Sequence, residues 1–162
     1  MLIARQKRKE NIAEYLLYMF QIEDIIRAHK FDLELIEKNI ISRFELDYNT
    51  KREMREWYKS LIGMMHDHNV REKGHIPLLQ GLIQEISDLH LNLLKNENEK
   101  EYQELYDHAR PAIEELKVKS GEPDSGDIEV SLNGLYGLLL LKLQKKTVNP
   151  ETEKAFSHIS RL

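Results

Sequence analysis

Apolar residues recur every three or four positions along most of this chain, the period of a helix with one buried face. The first such stretch, Gln6 to His29, sets Ile12, Tyr15, Leu16, Met19, Ile22 and Ile26 on one side. A second begins after Asp32, a residue type suited to capping a helix N-terminus. Phe31 and Ile36 have the spacing of a hydrophobic staple there, and Leu33, Ile36, Ile40 and Phe44 are expected to point inward. LDYNTKRE reads as a turn into a third helix, with Thr50 and Glu53 spaced as a capping box. Met54, Trp57, Tyr58, Leu61, Met65 and His68 form its stripe. Gly74 is placed to stop that helix in a left-handed conformation, and Pro77 fits the first turn of a fourth. The fourth carries Ile76, Leu79, Ile83, Ile86, His90 and Leu93 or Leu94.

KNENEKEY is polar, and a tight turn is expected within it, with Asn98 and Glu101 capping a fifth helix; the alternative is one continuous helix. The fifth stripe is Tyr102, Leu105, Tyr106, Ala109, Ile113 and Leu116, and Pro111 inside it should kink or break the helix. KSGEPDSGD, residues 119–127, has two glycines, a proline and no apolar side chain, the composition of a flexible linker. In TVNPETEK, Asn149 is a candidate cap and Pro150 a first helical residue, leading to a short last helix with Phe156, Ile159 and Leu162 inward.

Between them lies LNGLYGLLLLKLQKK, Leu132 to Lys146. Its uninterrupted apolar run is only Leu138–Leu141, and the whole segment falls short of the ~18 residues that cross a membrane. A helix apolar nearly all round is usually covered on most sides. Gly134 and Gly137 cost it roughly 1–2 kcal/mol against alanine, a cost that makes sense if another backbone comes close. The segment is therefore expected at the centre of the bundle, or at the seam of a homodimer.

Composition agrees with this picture. A chain of 162 residues buries about 70% of its unfolded surface and suits one domain, residues 1–162. Four prolines and seven glycines favour long helices over many strands and turns. With no cysteine there is no disulfide, thiol nucleophile or thiolate site, which fits a cytoplasmic protein. MLIARQKRKEN leaves no room for a signal peptide's hydrophobic stretch. A net charge of −4 makes no global field for nucleic acid or an anionic membrane, so neither is an expected partner.

Catalytic signatures are missing. There is no phosphate-binding loop, dinucleotide-binding glycine pattern, HExxH or G-x-S-x-G. One Glu-x-x-His spacing, Glu72 with His75, is interrupted by Gly74, and His66 and His68 point different ways on a helix; no metal or cofactor is implied. Two features remain. Glu23, His68 and His90 are polar residues in apolar stripes, where a buried charge needs a partner. They lie near helix ends and reach solvent, pair as structural hydrogen-bonding groups, serve an interface, or form a shared polar pocket in which a carboxylate would orient imidazoles for a metal or for acid–base work. Arg5, Lys7, Arg8 and Lys9 form a basic cluster at the start of the first helix. They are a solvated arm, arginines bridging to acidic groups such as Glu23 across the bundle, or a site for an anionic ligand or a nucleic-acid phosphate.

RQKRKENIAEYLLYMFQIEDIIRA, with the later NGLYGLLLLKLQKK and ETEKAFSHISRL, resembles a small bacterial family known only as a domain of unknown function. The resemblance spans the chain and implies an all-helical domain, with no catalytic or binding residues to carry over. The expected architecture is all-α, a bundle of six or seven amphipathic helices. The expected role is a non-enzymatic interaction or regulatory domain that forms a homo-oligomer, a dimer first, and meets a protein partner.

Overall fold

The computed structural model describes residues 2–121 and 123–162. Among them every regular element is helical: α1 (Leu2–Glu10), α2 (Ile12–Ala28), α3 (Leu33–Asn39), α4 (Tyr48–Asp67), α5 (Pro77–Lys95), α6 (Lys100–Ser120), α7 (Asp127–Leu143) and α8 (Pro150–Ile159). A 3-10 turn, Ile41–Arg43, follows α3. The all-α expectation holds, with eight helices among the described residues rather than six or seven. The additional helix arises at Asn11. Its backbone is extended (φ −155°, ψ 113°), and its side chain accepts the Glu14 N–H at 3.0 Å. The Asn11 N–H still closes α1 on the Lys7 carbonyl, and the Asn11 carbonyl accepts from Tyr15. The chain thus turns a corner without losing either backbone bond. Asn followed three residues later by Glu is itself a helix-start signal.

The chain divides into two compact units, residues 1–80 and 81–162, and the division falls inside α5. In the N-terminal unit α1 packs on α2, α2 on α4, and α3 on α4 and the 3-10 turn. The α2 stripe is buried as its spacing predicts, at Tyr15, Leu16, Met19, Ile22 and Ile26. Ile36, Ile41, Met54, Tyr58, Leu61 and Met65 are buried from the following elements. Each such side chain contributes about 1.5–3 kcal/mol of transfer free energy. Phe44 is exposed rather than inward, because the chain is extended there (φ −82°, ψ 132°) and has left α3.

Several boundaries move for identifiable reasons. Asp32 caps α3 as expected, accepting the Glu34 and Leu35 N–H groups. The cap of α4 is Asp47, not Thr50: its carboxylate accepts the Thr50 N–H and, at 2.6 Å, the Thr50 hydroxyl. These bonds hold the Asp47 carboxyl below its usual range. α4 ends before Gly74. Asn69 takes the left-handed position (φ 57°), and the Val70 N–H returns to the Met65 carbonyl. Gly74 is also left-handed (φ 82°), but in the connection that follows.

In the C-terminal unit α6, α7 and α8 pack on one another. Ala109, Ile113, Val130 and Ile159 are buried together, with Tyr106, Leu116, Leu135 and Phe156 packed against them. The turn before α6 is present, but neither Asn98 nor Glu101 makes it. The Asn96 side chain accepts the Asn98 N–H, and the Gln103 amide donates to the Leu94 and Asn96 carbonyls. α6 runs through Pro111 without a break, the proline lying exposed. Helices also reach into the segment 119–127: α6 continues to Ser120, Gly121 closes it at φ 73°, and Asp127 opens α7. Glu122 of that segment lies outside the described residues. Asn149 caps α8 and Pro150 is its first residue, as expected.

The enclosure expected for α7 is not met. Ile128, Val130 and Leu132 are buried, Leu135 and Leu138–Leu140 are half-buried, and Leu141 and Leu143 are exposed. Nor does a neighbouring backbone account for its glycines. A Cβ on Gly134 would lie 2.8 Å from Leu116 Cδ1 and 3.0 Å from Phe156 Cε1, whereas one on Gly137 would meet nothing within 4 Å. Gly137→Ala is therefore expected to stabilise the protein by about 1 kcal/mol through helix propensity. Gly134→Ala should gain nothing, since the methyl group needs space that Leu116 and Phe156 occupy. Thermal melts of the two variants check the contrast.

Candidate functional site

Glu23 sits on the buried face of α2 and is fully buried. Its carboxylate is not left alone. One oxygen lies 2.5 Å from His75 Nδ1 and the other accepts the Ile76 N–H at 2.9 Å. That N–H precedes Pro77 at the start of α5, where helical donors lack intrahelical partners. The His75 ring stacks on Phe20, centroids 3.8 Å apart and 15° from parallel. One turn on, Arg27 donates to the carbonyls of Val70 and Gly74 while its other nitrogen pairs with Asp24. Helix α2 thus grips residues 70–76 through two charged side chains. The His75 side chain is partly exposed, in contrast to the Glu23 carboxylate it meets.

Of the three in-stripe residues, Glu23 and His90 have separate partners. Glu23 meets His75 rather than His68, and His68 is the exposed C-cap residue of α4. His90, in the C-terminal unit, is buried and its Nδ1 lies 2.7 Å from the Tyr102 hydroxyl. Its Nε2 faces Asp127 at 3.6 Å, too far for a hydrogen bond. A carboxylate opposite Nε2 favours the proton there, so the Tyr102 hydroxyl donates to Nδ1. Asp127 also accepts the Tyr106 O–H at 2.6 Å and holds the Lys117 ammonium at 2.6 Å. One carboxylate in the first turn of α7 therefore ties α7 to α6 and faces the imidazole of α5.

Electrostatics in this cluster follow from burial and contact. Burial pushes the Asp127 carboxyl up, but hydrogen bonds from Lys117 and Tyr106 and the charges of Lys117 and His90 outweigh it and hold the group below the usual carboxylate range. Burial lowers the His90 imidazole against the opposing pull of Asp127. The bond to Asp127 raises Lys117. Burial first, then Asp127, raises both Tyr102 and Tyr106.

The N-terminal basic cluster is divided. Lys7 pairs with Glu14 at 2.8 Å, Arg8 lies over the Tyr15 ring, and Lys9 is exposed. Arg5 borders a cavity shared with the start of α4. Among the described residues no group of three or more His, Asp or Glu side chains is placed to hold a metal ion. No described helix is long and apolar enough to cross a membrane. Sequence reasoning found Glu23 and His90 by their position in apolar stripes. It missed His75, whose connection has no periodicity, and Asp127, which follows a glycine-rich run.

Together these features define a small all-helical domain whose buried polar side chains hold helix ends and connections in place. The family model described as Domain of unknown function (DUF4924) matches residues 1–162, and the chain belongs to that family. No curated protein and no solved structure matches it.

Proposed function

We propose that this domain is a non-enzymatic, cytoplasmic interaction module that works as a homodimer through α5. The observation that carries the reading is a second apolar stripe on that helix. Leu82, Ile86, Leu89 and Leu93 follow one another at steps of four, three and four residues, beside the buried face of Ile83 and His90. Leu89 is 56% exposed, and Leu82, Ile86 and Leu93 are only half-buried. That spacing is the seam one helix offers another. Helix α7, whose composition marks it for such a seam, exposes Leu141 and Leu143 at its C-terminal end. A second copy supplies an identical stripe, so a two-fold pairing of α5 with α5 closes the assembly.

Sedimentation equilibrium at micromolar concentration tests this. The wild-type chain is expected to be a dimer, and Leu89→Glu a monomer with an unchanged far-ultraviolet circular dichroism spectrum. A wild-type chain that stays monomeric at ~100 μM, a concentration at which a Kd of 1 μM would give mostly dimer, overturns the reading.

A further inference from the structure

A different surface, in the N-terminal unit, carries an inference independent of dimerisation. Between α1, the extended segment after the 3-10 turn and the first turns of α4 lies a cavity of about 580 Å³, within the range of sites for small organic ligands. Its apolar walls are Ile3, Phe44, Leu46, Met54 and Trp57. Met54 is buried and forms a closed part of the wall, whereas Ile3, Phe44 and Leu46 are exposed side chains facing space instead of core. Two arginines border it, Arg5 from α1 and Arg52 from α4. Neither makes an ion pair or side-chain hydrogen bond among the described residues. Arg55 nearby behaves otherwise, its guanidinium bonded to Glu34 at 2.6 Å and Glu37 at 2.7 Å.

Carboxylates border the cavity too. Glu56 leans toward Arg55 at 3.9 Å, and Glu53 has no cationic partner among the described residues. Arg55 already serves Glu34 and Glu37, so the formal charges around the cavity balance, Arg5 and Arg52 against Glu53 and Glu56. A guanidinium presents parallel donors that match a carboxylate. The walls call for a hydrocarbon body, and on a rim without net charge the two guanidinium groups that have no ion pair are the donors for a carboxylate head.

We propose that this cavity binds an amphipathic monoanion, an aliphatic chain ending in a carboxylate, with the chain against Phe44, Leu46 and Trp57 and the head group between Arg5 and Arg52. The Thr50 hydroxyl is already donated to Asp47, so the arginines carry the recognition.

Trp57 is the chain's single tryptophan, so its emission reports on the cavity directly. Titrations of the full chain with decanoate, decanol, decyltrimethylammonium and decyl phosphate, each kept below its micelle concentration, test the proposal; calorimetry confirms binding. Decanoate is expected to saturate and shift the emission to the blue. Decanol and the dianionic phosphate should bind at least about tenfold more weakly. The double variant Arg5→Gln, Arg52→Gln should lose decanoate affinity by about tenfold or more while decanol affinity stays the same, an arm that also reports whether the cavity is intact. Leu46→Asp should abolish both. The proposal is overturned if decanoate does not saturate, if the alkylammonium or the phosphate binds as tightly, or if decanoate affinity survives the double substitution.

Discussion

Glu23→Ala is expected to cost the N-terminal unit about 3–5 kcal/mol, from the buried hydrogen bonds it leaves unmade and the space it opens. The size follows from what is left behind. His75 loses the acceptor 2.5 Å from its Nδ1, and the Ile76 N–H loses its partner at the start of α5. A cavity replaces the rest of the side chain in a fully buried position. Native domains are stable by only about 5–15 kcal/mol, so the loss is a large share of the whole. Glu23→Gln keeps an acceptor for Ile76 and a polar group facing His75, and should lose only about 1–2 kcal/mol. Urea unfolding followed by Trp57 fluorescence measures both variants. An alanine variant within ~1 kcal/mol of wild type would mean that water takes the place of the carboxylate, contrary to the grip described for α2.

Acid should weaken the C-terminal unit in two stages. The His90 imidazole is held below its ordinary value of 6.5, chiefly by burial. The unfolded chain therefore takes up this proton first as pH falls, and stability declines from about pH 6.5 down to the lowered folded value. Asp127 is held below its ordinary 3.8 by Lys117 and Tyr106 against the effect of burial. Its contribution is complete above the unfolded value and is lost as pH falls below about 4 toward the folded one. His90→Gln retains a hydrogen-bonding partner for Tyr102 without a titrating group, and should abolish the first stage alone. Asp127→Asn should abolish the second and cost about 2–3 kcal/mol at neutral pH, since Lys117 and Tyr106 lose a charged acceptor. Thermal melts from pH 8 to pH 3 on the wild type and the two variants separate the stages. A wild-type melt that is flat between pH 7 and pH 5 would contradict the role given to His90.

The periodic part of the fold is legible because burial repeats at fixed intervals. Tyr15, Leu16, Met19, Ile22 and Ile26 are on the buried face that their spacing demands, and Asp32 and Asn149 cap the helices they precede. What escapes the sequence depends on single residues or distant partners. Asn11 divides one apolar stripe into two helices, while Pro111 fails to divide another. Glu23 is conspicuous as a charge among apolar neighbours, but its partner lies 52 residues away. Arg5 is legible as a cation, yet what it borders depends on Phe44 and Trp57, whose spacing is the same as that of buried residues. The leucines of α7 show how little composition says about coverage: it establishes that a helix is apolar all round, and neighbouring elements decide which sides are hidden.

Helix α5 has a consequence for where such a chain tolerates a cut. The border between the two units lies at Gln80–Gly81, four residues into that helix, and not in a connecting loop. A cut there leaves the first fragment with one turn of helix, too short to persist by itself, and strips the second of the residues that begin its own first helix. Neither half is a cassette that recombination could move intact. A border inside a helix makes each unit depend on an unbroken α5 for part of its own secondary structure.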